Sequence, residues 1–144
     1  MSEPSVIAGG EFSDARGKIS YVNDFLLERV KRFYIIEHPS TEVVRAWQAH
    51  KYEEKWFYVI EGSFVVSWVK IDNWETPSAD LKSEYRNLTS SKSEILHIPG
   101  GFANGFKALN PSSKLLIFSN FTTEESSGDI FRYDSRLWFN WNFV

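Results

Sequence analysis

The chain has 144 residues, a length that fits one domain and is sufficient to bury a hydrophobic core. Its formal net charge of −3 argues against a surface that neutralises nucleic-acid phosphates, which requires an excess of basic residues. The absence of cysteine excludes disulfide bonds, thiolate metal ligands and a thiol nucleophile. We therefore expect a single domain over residues 1–144, with no nucleic-acid partner.

The N-terminal sequence Met1 to Pro4 lacks the basic flank and the apolar run of a signal peptide. No stretch of the sequence reaches the roughly 20 apolar residues that a membrane-spanning helix requires. Together these features predict a cytoplasmic protein without a membrane partner.

Aromatic residues make up 17% of the chain, and this share favours strands because large flat side chains pack well on a pleated surface. Short runs of β-branched and aromatic residues alternate with turn signals, a pattern typical of an all-β sandwich or barrel. Residues 24–31 and 128–138 are the two segments that could hold a helical turn or two. We predict at least eight strands and under about 15% helix. The clearest strand candidates are residues 31–37, 43–50, 56–60, 63–71, 94–98 and 115–121.

Two glycine turns punctuate the middle of the chain. Gly62 joins two apolar strands through a tight turn, so we expect a positive φ, which glycine adopts without strain. The sequence Pro99-Gly100-Gly101 ends one strand and redirects the chain.

Two-residue alternation sorts the strand 43–50 into two faces. Gln48 and His50 share a face, together with Val44 and Ala46. The opposite face would carry Val43, Arg45, Trp47 and Ala49. Two interpretations remain open at this stage: the polar pair lies on a wet edge face, or it points into a barrel as a polar site.

Four motifs resemble those of two enzyme families that remodel nucleotide-linked deoxysugars, both of them cupins. Residues 44–51 (VRAWQAHK), followed by Gly62-Ser63, are similar to "RG-x-H-x-H-K … GS" of the dTDP-sugar 3,4-ketoisomerases. The opening and closing motifs of that family, "D-x-R-G-x-L … V-K-R-x-Y-x-I" and "D-Y-I-R-x-Y", resemble residues 14–19, 30–36 and 129–133. Residues 99–106 (PGGFANGF) resemble "P-x-G-F-A-H-G-F" of the dTDP-4-dehydrorhamnose 3,5-epimerases. The similarity extends from Gly10 to Trp141.

The resemblance implies a single cupin domain, an all-β jelly-roll barrel (double-stranded β-helix) with little helix. It implies a homodimer in which the N-terminal strand reaches the neighbour. The implied activity is 3,4-ketoisomerisation or 3,5-epimerisation of a dTDP-4-keto-6-deoxysugar, by proton abstraction next to the ketone, in deoxysugar and cell-surface polysaccharide biosynthesis. A non-catalytic cupin that binds a nucleotide sugar or another carbohydrate is the alternative.

The motif positions also imply roles for individual residues. His50 takes the second His position of the family's pair and is the expected base, since the free pKa of histidine lies near about 6.5. Gln48 and Tyr34 are expected to complete the catalytic group by hydrogen-bonding the oxygen that gains charge. Guanidinium groups bind diphosphates bidentately, so basic positions of the motifs are expected to bind substrate. The expected substrate-binding residues are Arg16, Arg32, Arg45, Lys55 and Asn104.

The sequence departs from both families at two positions, where Gln48 and Asn104 replace motif histidines. Metal-dependent cupins generally bind their ion through two His and a Glu of the first motif and a His of the second, and of these three His positions His50 alone remains. Amide oxygens are poor ligands for zinc or iron, so we expect no metal and no cofactor.

Three residues outside the motif pair complete the candidates. His97 is expected to be structural, because it alternates with Leu96 and Ile98 in a strand-like run. His38 precedes Pro39 in a predicted loop and is expected at the surface. Asp134 either orients an imidazole or caps the turn that follows it.

Overall fold

The computed structural model describes residues 2–143, most of which lie in antiparallel β-structure. One short helix, α1, spans Thr123–Ser127, and single 3-10 turns lie at Leu27–Arg29 and Trp141–Phe143. In chain order the strands are β1 (Ser5–Ala8), β2 (Gly10–Asp14), β3 (Gly17–Tyr21), β4 (Arg32–Glu37), β5 (Val44–His50), β6 (Lys55–Glu61), β7 (Ser63–Lys70), β8 (Ser83–Thr89), β9 (Glu94–Ile98), β10 (Phe102–Ala108), β11 (Lys114–Ser119) and β12 (Phe131–Arg132).

Ten of these strands form two five-stranded sheets, in the orders β1-β9-β6-β11-β4 and β12-β5-β10-β7-β8. Strands β2 and β3 pair with each other as a separate hairpin. Strand accounts for 49% of the structure and helix for 8%, so the predicted all-β cupin jelly roll with little helix is confirmed. No helix in residues 2–143 is long and apolar enough to cross a membrane.

Two apolar clusters cover the two faces of the second sheet. The first lies between the sheets, in the space that we call the lumen, and includes side chains such as Phe57 and Leu115 from one sheet and Phe64 and Phe106 from the other. The second lies on the outer face, where the C-terminal segment packs its aromatic residues against the sheet. Its buried members are Trp47, Ala49, Val65, Val69, Ile71, Ala103 and Trp141.

Several elements were not predicted from the sequence. Strand β8 (SEYRNLT) lies at a sheet edge and buries only Leu88, so its sequence is polar and lacks the apolar run of a buried strand. Helix α1 was missed because it spans one turn, although its capping box between Thr122 and Glu125 is visible in the sequence. Of the two candidate helical segments, residues 24–31 hold a 3-10 turn and residues 128–138 hold strand β12 and turns.

Strand β5 departs from simple alternation. Its residue Gln48 pairs with Asn104 of β10, but Arg45 pairs with Phe106, so β5 has one extra residue in this interval. Paired residues share a face, and Phe106 belongs to the lumen cluster, so Arg45 also faces the lumen. The predicted placement of Arg45 with Trp47 is therefore wrong, and so is that of Val44 and Ala46 with Gln48 and His50, because both pack against the cluster on the outer face. Gln48 and His50 face the lumen rather than a wet edge, since β5 lies between β12 and β10.

The turn between β6 and β7 has the predicted glycine geometry, since the φ of Gly62 is +74°. A Cβ at this position would collide with the side chain of Ser113.

We expect Gly62→Ala to lower the free energy of unfolding by about 1–3 kcal/mol, measured by urea denaturation. Gly128→Ala is the matched control, because Gly128 has a φ of −90° and an added Cβ would come no closer than 3.7 Å to Glu125. Equal unfolding curves for both variants would contradict this account of the turn.

Candidate functional site

A pocket of about 400 Å³ opens beside strand β5. It brings together two guanidinium groups and two amides, those of Arg45, Arg132, Gln48 and Asn104. Three of these were candidates from the sequence. Arg132 was missed, although it is the arginine of the closing motif in residues 129–133. A pocket with this lining can bind an anion and hydrogen-bond the hydroxyl groups of a sugar.

Behind the pocket, Lys55 donates a hydrogen bond from Nζ to Oε1 of Gln48 at 3.1 Å. Lys55 is 4% exposed, and this burial lowers its pKa to about 8. Because Lys55 occupies the oxygen of the Gln48 amide, the NH₂ group of that amide is left to donate to a ligand. Gln48 is therefore a hydrogen-bond donor in the site, and Lys55 adds a positive charge behind it.

His50 is buried at the lumen end of β5 and is 2% exposed. Its Nδ1 lies 2.7 Å from the main-chain oxygen of Asp129. A carbonyl oxygen only accepts hydrogen bonds, so Nδ1 carries the proton and Nε2 carries a lone pair. Nε2 is buried and has no hydrogen-bond partner within residues 2–143. Burial is the main cause that lowers the pKa of His50 to about 4, and the positive charge of Lys55 is the second. The imidazole is therefore neutral at pH 7.

The segment that follows β5 is fixed by Asp129. Its carboxylate accepts hydrogen bonds from the main-chain N–H groups of Lys51, Tyr52 and Glu53 at 2.8, 2.9 and 2.9 Å. The same residue therefore positions the chain after β5 with its side chain and the His50 ring with its main chain. Asp134, the candidate for orienting an imidazole, instead pairs with Arg136 on the surface.

Glu53 is a buried carboxylate that sequence analysis did not place in the site. It accepts hydrogen bonds of 2.6 Å from Ser119 and Ser126, and of 3.1 Å from Arg32. Its Oε1 lies 3.4 Å from Nδ1 of His50. Burial alone would raise the pKa of Glu53, but Lys55, the two serine hydroxyls and His50 outweigh burial and hold the pKa below its usual value. The carboxylate is therefore ionised at neutral pH.

Strand β4 contributes Arg32 and Tyr34 to the lumen side of the site. The Arg32 guanidinium lies 5.0 Å from the centre of the Tyr34 ring and also donates to Phe121 and Glu53. Burial raises the pKa of Tyr34 to about 12, so its hydroxyl keeps its proton at neutral pH. Arg16 lies elsewhere, on the β2–β3 hairpin, where it pairs with Asp14.

The two remaining histidines have different environments. His38 is 5% exposed and stacks on Phe106 at 5.8 Å between ring centres, so its predicted surface location is wrong. The loop after β4 turns this ring into the end of the lumen instead of outward. His97 has two contacts, since its Nε2 lies 2.8 Å from Glu54 and its ring stacks on Trp56, and its structural role stays a prediction.

Within residues 2–143, no group of three or more His, Asp or Glu side chains is placed to hold a metal ion. These features define the fold as a small cupin-type β-barrel with a lumen of aromatic and aliphatic side chains and a cationic pocket at its edge.

Solved structures with this fold include enzymes that act on dTDP-linked sugars. A variant of the 3,4-ketoisomerase QdtA from Thermoanaerobacterium thermosaccharolyticum, in complex with TDP-4-keto-6-deoxyglucose, is 16% identical, with a TM-score of 0.72 over 99% of this chain and 91% of that chain. NovW, a 4-keto-6-deoxy sugar epimerase from Streptomyces spheroides, is 17% identical, with a TM-score of 0.77 over 96% of this chain and 74% of that chain. The rmlC epimerase of Mycobacterium tuberculosis is 15% identical, with a TM-score of 0.74 over 92% of this chain and 69% of that chain.

At these identities the comparison shows the fold. This chain has the fold of dTDP-sugar isomerases and epimerases, in agreement with the motif resemblance. No protein-family model and no curated protein sequence matches the chain.

Proposed function

We propose that this protein binds a dTDP-linked 4-keto-6-deoxysugar and transfers a proton next to the ketone without a metal ion. The observation that carries this proposal is the state of His50. Its Nδ1–H is held by the main-chain oxygen of Asp129, and its Nε2 is a buried acceptor with no partner in residues 2–143. A general base must be deprotonated and oriented in this way before it can accept a proton.

In the proposed reaction, Nε2 of His50 accepts the proton of the carbon next to the ketone. The C–H electron pair then forms the enediolate, whose oxygen gains negative charge. Lys55, the NH₂ group of Gln48 and the hydroxyl of Tyr34 are the donors that stabilise this oxygen. In 3,4-ketoisomerisation the proton returns to the former carbonyl carbon, while the hydroxyl proton of the neighbouring carbon moves to the former ketone oxygen. In epimerisation at C3 or C5 the proton returns to the other face of the same carbon.

The pocket would hold the rest of the substrate. Arg45 and Arg132 line it and carry the positive charge that a nucleoside diphosphate requires. Asn104, which pairs with Gln48 across β5 and β10, offers an amide to the sugar hydroxyl groups.

A non-catalytic cupin that binds a nucleotide sugar is the second candidate function. It is favoured by the fact that the amides Gln48 and Asn104 line the pocket, whereas His50 lies deeper. Such a protein would bind the same ligands without exchanging their protons.

We also propose a cytoplasmic homodimer. The β2–β3 hairpin exposes 54% of Phe12 and 60% of Ile19, and an isolated two-stranded hairpin is marginally stable in water. The outer face of β4 exposes Phe33 and Ile35. Burying these surfaces between two copies would place Arg16 at the interface.

Light scattering should give twice the 16.7 kDa of one chain, and the mass of a single chain would contradict the dimer.

The proton-transfer proposal predicts that the protein catalyses exchange between solvent deuterium and the ring of TDP-4-keto-6-deoxyglucose. His50→Asn should slow this exchange by about 10²–10⁴-fold, because general-base catalysis is lost, and should leave nucleotide-sugar binding within about threefold of wild type. Nuclear magnetic resonance of the sugar measures the exchange and identifies the carbon.

Because the pKa of His50 is about 4, the wild-type rate should persist to about pH 5 and fall as the pH approaches 4 and the imidazole becomes protonated.

His97→Asn is the matched control, since His97 lies outside the lumen and should leave the exchange rate unchanged. If His50→Asn exchanges as fast as wild type, His50 is not the base. If wild type binds the nucleotide sugar but exchanges no proton with any 4-keto sugar tested, the binding function replaces the enzymatic one.

A further inference from the structure

The lumen contains a polar group that the proposed reaction does not use, the indole of Trp68. Within residues 2–143, the buried side-chain polar atoms without a hydrogen-bond partner belong to three residues, His38, His50 and Trp68. All three face the lumen: His38 stacks on Phe106, His50 pairs with Phe102, and Trp68 packs against the lumen cluster. Leaving a buried donor or acceptor unpaired is costly, so these three side chains mark the lumen as a place where a polar ligand can add hydrogen bonds.

Trp68 differs from three other tryptophans of the chain. The indole N–H groups of Trp47, Trp138 and Trp141 donate to the main-chain oxygens of Leu137, Ser78 and Ser135, respectively. Nε1 of Trp68 is buried but donates to no atom of residues 2–143. An indole nitrogen can only donate, so the missing partner must be an acceptor.

The register of the second sheet relates Trp68 to the pocket. Asn104 of β10 pairs with Gln48 of β5 on one side and with Trp68 of β7 on the other. Paired residues share a face, so the three side chains form one row on the lumen side. Neighbouring strands lie about 4.8 Å apart, which separates the backbones of β5 and β7 by roughly 10 Å. A sugar ring with its oxygen substituents is long enough to reach from the pocket at Gln48 and Asn104 towards the Trp68 end of this row.

The unpaired atoms at the two sides of the lumen are complementary in type. Nε2 of His50 accepts a hydrogen bond or a proton, whereas Nε1 of Trp68 donates a hydrogen bond. A keto sugar offers both counterparts, because its hydroxyl and C–H groups supply protons and its oxygens accept hydrogen bonds.

We propose that Trp68 is a substrate-contacting residue, whose Nε1–H donates a hydrogen bond to an oxygen of the sugar in the bound nucleotide sugar. This assignment rests on the proposed function. The contact is to the sugar and not to the nucleotide, because the guanidinium groups that would hold the diphosphate line the pocket at β5 and β12, at the other end of the row.

Calorimetric titration of Trp68→Phe tests the assignment, because phenylalanine keeps an aromatic ring and removes the N–H. We expect the affinity for TDP-4-keto-6-deoxyglucose to fall by about three- to tenfold, the size of one net hydrogen bond, and the affinity for TDP to change less than about twofold. Without ligand, Trp68→Phe should melt at the same temperature as wild type, because the N–H that the substitution removes has no hydrogen-bond partner.

Trp138→Phe is the matched control, because its N–H is bonded to Ser78 at 2.8 Å. That variant should melt at a lower temperature than wild type and bind both ligands as wild type does. If Trp68→Phe binds the nucleotide sugar as tightly as wild type, or loses the same affinity for TDP, the assignment is overturned. If wild type binds neither ligand, the proposed function fails, and the assignment falls with it.

A second measurement avoids substitution at a packed position. The ¹H–¹⁵N signal of the Trp68 indole should move downfield when wild-type protein binds TDP-4-keto-6-deoxyglucose, and should stay in place with TDP. An indole signal that responds equally to both ligands, or to neither while binding occurs, would contradict the contact.

Discussion

The position of the candidate base depends on one residue, Asp129, which acts through both its main chain and its side chain. Its carbonyl oxygen accepts the Nδ1–H of His50, and its carboxylate accepts three consecutive main-chain N–H groups after β5. These bonds tie the chain that follows α1 to the end of β5. Without them, the imidazole would lose its fixed tautomer, and the loop from Lys51 to Glu53 would have unpaired N–H groups in a partly buried position. The acceptor at Nε2 of His50 follows from this connection.

Burial gives the site a pair of groups in complementary protonation states. It lowers the pKa of His50 to about 4 and that of Lys55 to about 8, so at pH 7 the imidazole is neutral and the lysine is largely protonated. Glu53, ionised beside both, offsets part of the positive charge of Lys55 and Arg32. A neutral acceptor and a charged donor are the two components that proton abstraction next to a ketone requires. Gln48 links them physically, since it shares a face with His50 and accepts a hydrogen bond from Lys55.

Much of the fold could be predicted from the sequence because the buried strands carry β-branched and aromatic runs, and because Gly62 marks the turn between β6 and β7. Alternation correctly placed Gln48 and His50 on one face, but it misplaced Arg45, because an extra residue in β5 leaves no mark on the residue pattern. The roles of Glu53 and Asp129 in the site were not predicted, for a different reason. Their partners are main-chain N–H groups and serines up to 78 positions away, and such contacts exist only once the chain has folded. The surface location predicted for His38 was wrong because a loop position next to proline does not show whether the ring faces solvent or the core.

The protonation state of His50 can be measured directly by ¹⁵N nuclear magnetic resonance of the ligand-free protein. Two-bond correlations between ring protons and nitrogens distinguish a protonated Nδ1 from a protonated Nε2. The structure predicts a neutral ring at pH 7 with its proton on Nδ1, and protonation of the second nitrogen with a pKa of about 4. A proton on Nε2 at pH 7, or titration near the ordinary histidine value of about 6.5, would contradict the assignment of His50 as a buried base held by Asp129.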